Sequence, residues 1–171
     1  MANTFVRIAS VTVGSGGASS ISFSSIPATY TDLIVKVSAR TTNAGAGFQS
    51  LDLQFNSSSA DRSGRYLTGD GSSPGSGTLS TTSFLIYALQ DAGTTSNTFT
   101  NAELYIPNYA GSTNKSSSVD AVTENNGTSA GAAFTANLWS NTAAITSITL
   151  TPQSGNLVQY STATLYGIKS S

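Results

Sequence analysis

With 171 residues, 9% of them charged and a formal net charge of −1, the chain has the length of one domain and a surface wetted mainly by Ser, Thr, Asn and Gly. It contains no Cys and no His, which removes disulfides, thiolate metal sites and the Ser-His-Asp and Cys-His centres. Seven scattered Lys and Arg argue against nucleic acid and against polybasic membrane docking, and no apolar run approaches the ~20 residues of a membrane span.

The predicted elements are all strands. The pattern begins at Phe5 with no apolar stretch of signal-peptide type, and residues 5–13 read as the first strand, closed by the glycine-rich turn 14–17. Ile21 and Phe23 alternate with serines in a short second strand that ends at Ile26-Pro27. Residues 31–40 alternate most cleanly: Leu33, Val35, Val37 and Ala39 form one face, and Lys36, Ser38 and Arg40 the wet one. Leu51, Leu53 and Phe55 mark a fourth strand.

Residues 57–79, rich in Gly and Ser, read as a long flexible loop, because they bury too little apolar surface to offset their ordering entropy. Arg65, Tyr66 and Leu67 are expected to pin it partway. A mostly apolar strand over 84–89 and a turn over 91–97 follow. Residues 103–124 read as one hairpin, with Leu104 and Ile106 on one face and Glu103 and Tyr105 on the other, while Val119 and Ala121 alternate with Ser118 and Asp120. Pro107 stops its first strand, and Gly111 and Asn114 supply turn chemistry. Asn125-Asn126-Gly127 is a turn; 134–139, 144–150 and 157–168 complete the strands. The expected fold is one all-β domain over 1–171, an antiparallel β-sandwich of jelly-roll type with about eight to ten strands, a short N-terminal arm over 1–4 and no helix.

Candidate chemistry is sparse. Asp61, Asp70 and Asp91 lie near glycines in loops, where carboxylates hold hard cations; the spacing matches no calcium loop, and solvated turn residues are the simpler reading. Glu103 and Glu124, toward the outer ends of the hairpin, could face each other as acid and base, although two like charges directly opposite disfavour strand pairing. Trp139, Tyr66, Tyr105 and Tyr109 could form a sugar platform, but Trp suits a core and Tyr suits a protein interface. Asn56, Asn114 and Asn126 match the glycosylation acceptor pattern, as chance allows in a chain of this composition. No cofactor, metal or reaction is expected.

Three stretches taken together, residues 21–40 with the turn Ile26-Pro-Ala-Thr-Tyr-Thr31 leading into the core strand, residues 103–115 beginning Glu103-Leu-Tyr-Ile-Pro-Asn-Tyr109, and residues 160–169 with the closing Leu165-Tyr-Gly-Ile168, resemble a family of small β-sandwich virion proteins of tailed bacteriophages, cyanophages in particular. The resemblance spans nearly the whole chain and implies a structural protein without catalysis. It is closest to capsid decoration (cement) proteins, which bind the outer shell; domains of tail fibres and baseplates that read host glycans share the same sandwich. It implies the major capsid protein as partner, a homotrimer, and a place on the outer capsid surface after synthesis in the host cytoplasm. With no coiled-coil shaft between Phe5 and Ile168, the expectation is a separate coat subunit. The expected contacts are the arm residues Ala2, Asn3, Thr4 and Phe5 and the loop 57–76 with Arg65 and Tyr66 as anchors, together with Tyr105 and Tyr109.

Overall fold

Along β3 (Asp32–Ala39), Leu33, Val35, Val37 and Ala39 are buried while Lys36 is exposed, as period-two geometry requires. The same alternation repeats through a computed structural model that describes residues 4–45, 49–79, 85–127 and 130–169. The remaining strands are β1 (Phe5–Thr12), β2 (Ile21–Phe23), β4 (Gln49–Phe55), β5 (Arg62–Gly69), β6 (Pro74–Leu79), β7 (Leu85–Leu89), β8 (Thr100–Ile106), β9 (Lys115–Thr123), β10 (Gly131–Trp139), β11 (Ile148–Pro152) and β12 (Thr162–Ile168). No helix occurs among the described residues.

Two antiparallel sheets pack as a sandwich, one ordered β1-β12-β3-β8-β9-β10-β5-β6 and the other β2-β11-β4-β7. Setting aside the hairpins β5–β6 and β9–β10 leaves eight strands whose pairing is nested: β1 with β12, β2 with β11, β3 with β8 and β4 with β7. That nesting is the jelly-roll order, so the fold class matches the expectation. The two extra hairpins widen one sheet from four strands to eight. The core fills the space between the sheets, with Val35, Leu104 and Leu165 from one side meeting Leu53, Phe55, Ile86 and Leu150 from the other, all at most 1% exposed.

The largest departure from the sequence reading is at residues 57–79, which form the hairpin β5–β6 where a flexible loop was expected. Glycine here is a packing device. Tyr66 stands opposite Gly77, and a Cβ on Gly77 would lie 2.6 Å from the Tyr66 hydroxyl, so the ring covers the bare backbone of the neighbouring strand. Leu79 covers Gly64 in the same way. All eight residues of β5 also pair with β10, from Arg62 opposite Trp139 to Gly69 opposite Ala132. The backbone bonds of that ladder, together with buried Arg62 and Leu79, order it.

The turn of this hairpin is held by Asp70. Its Oδ1 accepts from the Ser73 amide at 2.7 Å, the Ser72 amide at 2.8 Å and the Ser72 hydroxyl at 2.9 Å. These bonds, led by the one from Ser73, lower the carboxyl pKa from 3.8 to about 2. A depressed acid stabilises the fold above its unfolded value and loses that contribution as pH falls through the folded one. Asp70→Ala is therefore expected to be less stable than the parent near neutrality, with the gap closing between pH 3.8 and about 2 in an acid-unfolding series. A gap constant across that window rules out the carboxylate as its cause.

The three stretches that carry the family resemblance meet at one corner. Tyr109 is fully buried; its hydroxyl donates to the Pro27 carbonyl and accepts from the Tyr30 amide at 3.4 Å, tying the β8–β9 turn to the entry of β3. Asp32 accepts from the Asn108 amide and from the Tyr105 hydroxyl, each at 2.9 Å. The Tyr30 ring lies on Gly167 and under the Lys169 ammonium, which is 5.8 Å from its centroid. The motifs are thus one structural lock.

A second departure concerns Arg40. Alternation put it on the wet face, yet it is 7% exposed, and its guanidinium donates to the carbonyls of Thr94, Thr95 and Thr98 at 3.0, 2.8 and 3.0 Å. Arg40 follows the last residue of β3, so the strand's face rule no longer governs it.

Candidate interaction surface

Strands β10 and β5 and the end of β9 carry a partly reversed pattern. On the inner side of β9 and β10, Ser117, Thr135 and Asn137 are buried, and the Ser117 hydroxyl, the Thr135 hydroxyl and both amide atoms of Asn137 have no hydrogen-bond partner. On the outer side stand Leu67 (61% exposed), Phe134 (51%), Val122 (49%) and Leu138 (37%). Polar groups inside and large apolar groups outside is costly on both faces in an isolated chain.

Register shows how this outer surface is built. Leu67 lies directly opposite Phe134, forming a ridge across β5 and β10. One step along the same strands, Arg65 is opposite Ala136 and Thr78, and the small side chains leave a hollow of about 470 Å³ beside the ridge. A second hollow of about 330 Å³ continues it from Ala136 to Leu138 and Ser63. Toward β3 the row turns polar: Phe134 is opposite Asp120, Asp120 opposite Glu103, and Glu103 opposite Lys36, which forms an ion pair with it.

The expected contact residues fall at separate places. Thr4 is exposed, Phe5 is 54% exposed and its ring meets Tyr166 edge-on at 6.4 Å, while Ala2 and Asn3 lie outside the described residues. Arg65 is exposed beside the apolar surface. Tyr66 points to the inner side, where its ring stacks on Tyr87 at 4.6 Å, so it is not an outer anchor. Tyr105 is half-buried on the outer side of β8. Tyr109 is 0% exposed and serves the core, which corrects its assignment as a contact residue: burial of its ring and its two hydrogen bonds leave no surface to offer.

The other candidates also resolve. Asp61 and Asp70 flank the two ends of β5, about 30 Å apart at ~3.3 Å per residue, and Asp91 is buried just beyond β7, its Oδ1 accepting from the Gly93 amide at 2.9 Å. No group of three or more acidic side chains able to hold a metal occurs among the described residues. Glu124 does not face Glu103; its Oε1 accepts from the Asn125 and Asn126 amides at 2.9 and 2.7 Å and caps that turn. Trp139 is 2% exposed and packs on Phe55 at 6.0 Å, so the four aromatics are divided between core and both sheet faces and form no platform. Asn56 is held by Ala144, Thr146 and Ser147, a clamp between β4 and the entry to β11.

The sequence reading missed Phe134, Val122 and Leu138 as surface residues and saw Leu67 only as a pin. The signal available was that β10 is apolar in both phases, with Ala133 and Trp139 in one and Phe134 and Leu138 in the other. Compared with known proteins, the chain matches no family model, no curated protein and no solved structure.

Proposed function

We propose that this chain is a non-enzymatic adhesion module of a virion, a capsid decoration (cement) protein that binds the outer shell made of major capsid protein. The observation that carries the proposal is the grouping of four of the six exposed large apolar side chains among the described residues, Leu67, Val122, Phe134 and Leu138, on the outer side of β5, β9 and β10. Such a surface is stabilised by burial against a neighbour. The mechanism is mass action: a subunit that binds the assembled lattice and not its loose components stabilises the lattice. With 9% charged residues, that binding depends weakly on salt.

Residues 57–76 include β5, whose removal strips β10 of a partner strand, so the clean variant is Leu67→Glu. Labelled protein imaged on intact particles of the phage that encodes it is expected to coat the shell, with Leu67→Glu coating it weakly. Label confined to the tail, or absent, overturns the capsid reading.

One observation favours the tail-fibre or baseplate alternative. A cleft of about 340 Å³ at the β5–β6 tip is lined by Tyr87, Thr68, Asp70 and Ser73, an aromatic wall beside polar groups of the kind that hold a sugar. A glycan array decides it: retention of a host-surface glycan that Tyr87→Ala abolishes supports the alternative, and a blank array removes it.

A further inference from the structure

We infer that Asn126 is a site of spontaneous deamidation, because the turn between β9 and β10 leaves its side chain as free to react with the Gly127 backbone nitrogen as it is in the unfolded chain. Asn126-Gly127 is the only Asn-Gly pair in the sequence. Glycine matters because the nitrogen that approaches the Asn126 side chain then has no Cβ beside it to block the approach. Every other asparagine precedes a residue that carries one.

The fold adds the freedom the reaction needs. Pairing of β9 with β10 ends at Thr123 opposite Gly131, so residues 124–130 lie outside the ladder. Asn126 and Gly127 are both exposed, and Asn126 has φ +51°, in the left-handed region that Asn tolerates. Among the described residues no group bonds the Asn126 carboxamide or the Gly127 amide. The Asn126 amide donates to Glu124 Oε1 at 2.7 Å, which fixes the start of the turn and leaves both reacting groups untouched. Other asparagines are held. The Asn56 carboxamide donates to the Ala144 carbonyl at 2.8 Å and accepts from the Thr146 and Ser147 amides at 2.8 and 3.1 Å. Asn125, the immediate neighbour, is 3% exposed and donates to Gln90 at 3.3 Å.

In the reaction the Gly127 nitrogen gives up its proton and bonds to Cγ of Asn126. The Cγ–Nδ2 bond breaks and ammonia leaves with that proton, closing a five-membered succinimide. Water, the only co-reactant, opens the ring at either carbonyl; its hydroxyl goes to the carbon and its proton to the nitrogen, giving an aspartyl or an isoaspartyl link. The product adds one negative charge to a chain of formal net charge −1 and sets it two residues from Glu124, whose Oε1 holds the Asn125 and Asn126 amides. Two carboxylates on one turn repel, which loosens that cap. Loss of ammonia needs no enzyme, so the modification marks the age of each copy.

Incubation of the full chain in mildly alkaline buffer, then protease digestion and mass spectrometry, tests this, with the same chain unfolded in guanidinium chloride as reference. The peptide spanning Asn126 is expected to show the mass gain of NH2 replaced by OH before any other asparagine does, at a rate within roughly tenfold of the unfolded chain. Asn126→Gln, which moves the carbonyl one methylene away, should abolish the gain at that position. Gly127→Ala should slow it roughly tenfold or more, ~1.4 kcal/mol on the barrier, and far-ultraviolet circular dichroism reports whether each variant keeps the sandwich. In the aged protein the Asn125 and Asn126 amides should exchange hydrogen faster than in the fresh one. A folded chain that reacts far more slowly than the unfolded one, another asparagine that reacts first, or a folded Gly127→Ala variant that reacts at the parent rate overturns the inference. Phage particles play no part in these measurements, so the outcome is independent of the shell reading.

Discussion

Replacing Arg40 with Met should lower unfolding stability by about 3–5 kcal/mol, the cost of removing one partner from a buried, hydrogen-bonded charge site. The side chain is 7% exposed, and its two terminal nitrogens satisfy the carbonyls of Thr94, Thr95 and Thr98, so one guanidinium orders the whole β7–β8 connection. Burial lowers the Arg40 pKa, and the Asp91 charge opposes that shift; removal of the cation leaves Asp91, 0% exposed, without its compensating charge. Arg40→Lys keeps the charge but lacks the planar fork that reaches several carbonyls, and should fall between Met and the parent. Urea denaturation measures both. A loss below about 1 kcal/mol for Met would mean that the connection holds itself.

Gly167→Ala should cost about 3 kcal/mol, at the upper end for overpacking a tight contact. A Cβ there would lie well inside van der Waals contact of the Tyr30 ring carbons, and swinging the ring aside takes its face from the Lys169 ammonium while the Tyr30 amide stays bonded to Tyr109. Coupling provides the check. If the clash is the cause, adding Tyr30→Ala to Gly167→Ala should destabilise less than the sum of the two single changes, read from urea midpoints. Strict additivity would place the cost of Gly167→Ala elsewhere.

This corner explains why the resemblance motifs were legible and what they report. The Pro27–Tyr30 turn, Tyr109 and Gly167 are far apart in sequence and interlock in space, so their co-occurrence in one chain reflects a packing solution. They carry information about fold. The surface that bears the functional proposal lies on the two inserted hairpins, away from this lock, and no motif marks it.

The contrast between β3 and β10 gives the physical reason. In β3 one phase is wholly apolar and the other is polar except for Ile34, and only one orientation buries the apolar phase, so the sequence determines the face. In β10 apolar residues occupy both phases, and orientation follows from Trp139 packing on Phe55 across the sandwich, a contact between residues 84 positions apart that turns Phe134 and Leu138 outward. Residues 62–79 make the same point for order: glycine-rich composition predicts a loop when only local burial is weighed, yet the neighbouring β10 supplies a ladder and Tyr66 supplies cover for Gly77. Alternating hydrophobicity, a property of adjacent residues, determined by itself the class of fold, the positions of most strands and the core. Which faces of the inserted hairpins meet water, and that Arg40 turns inward, was decided by tertiary structure, because those choices depend on side chains that only folding brings together.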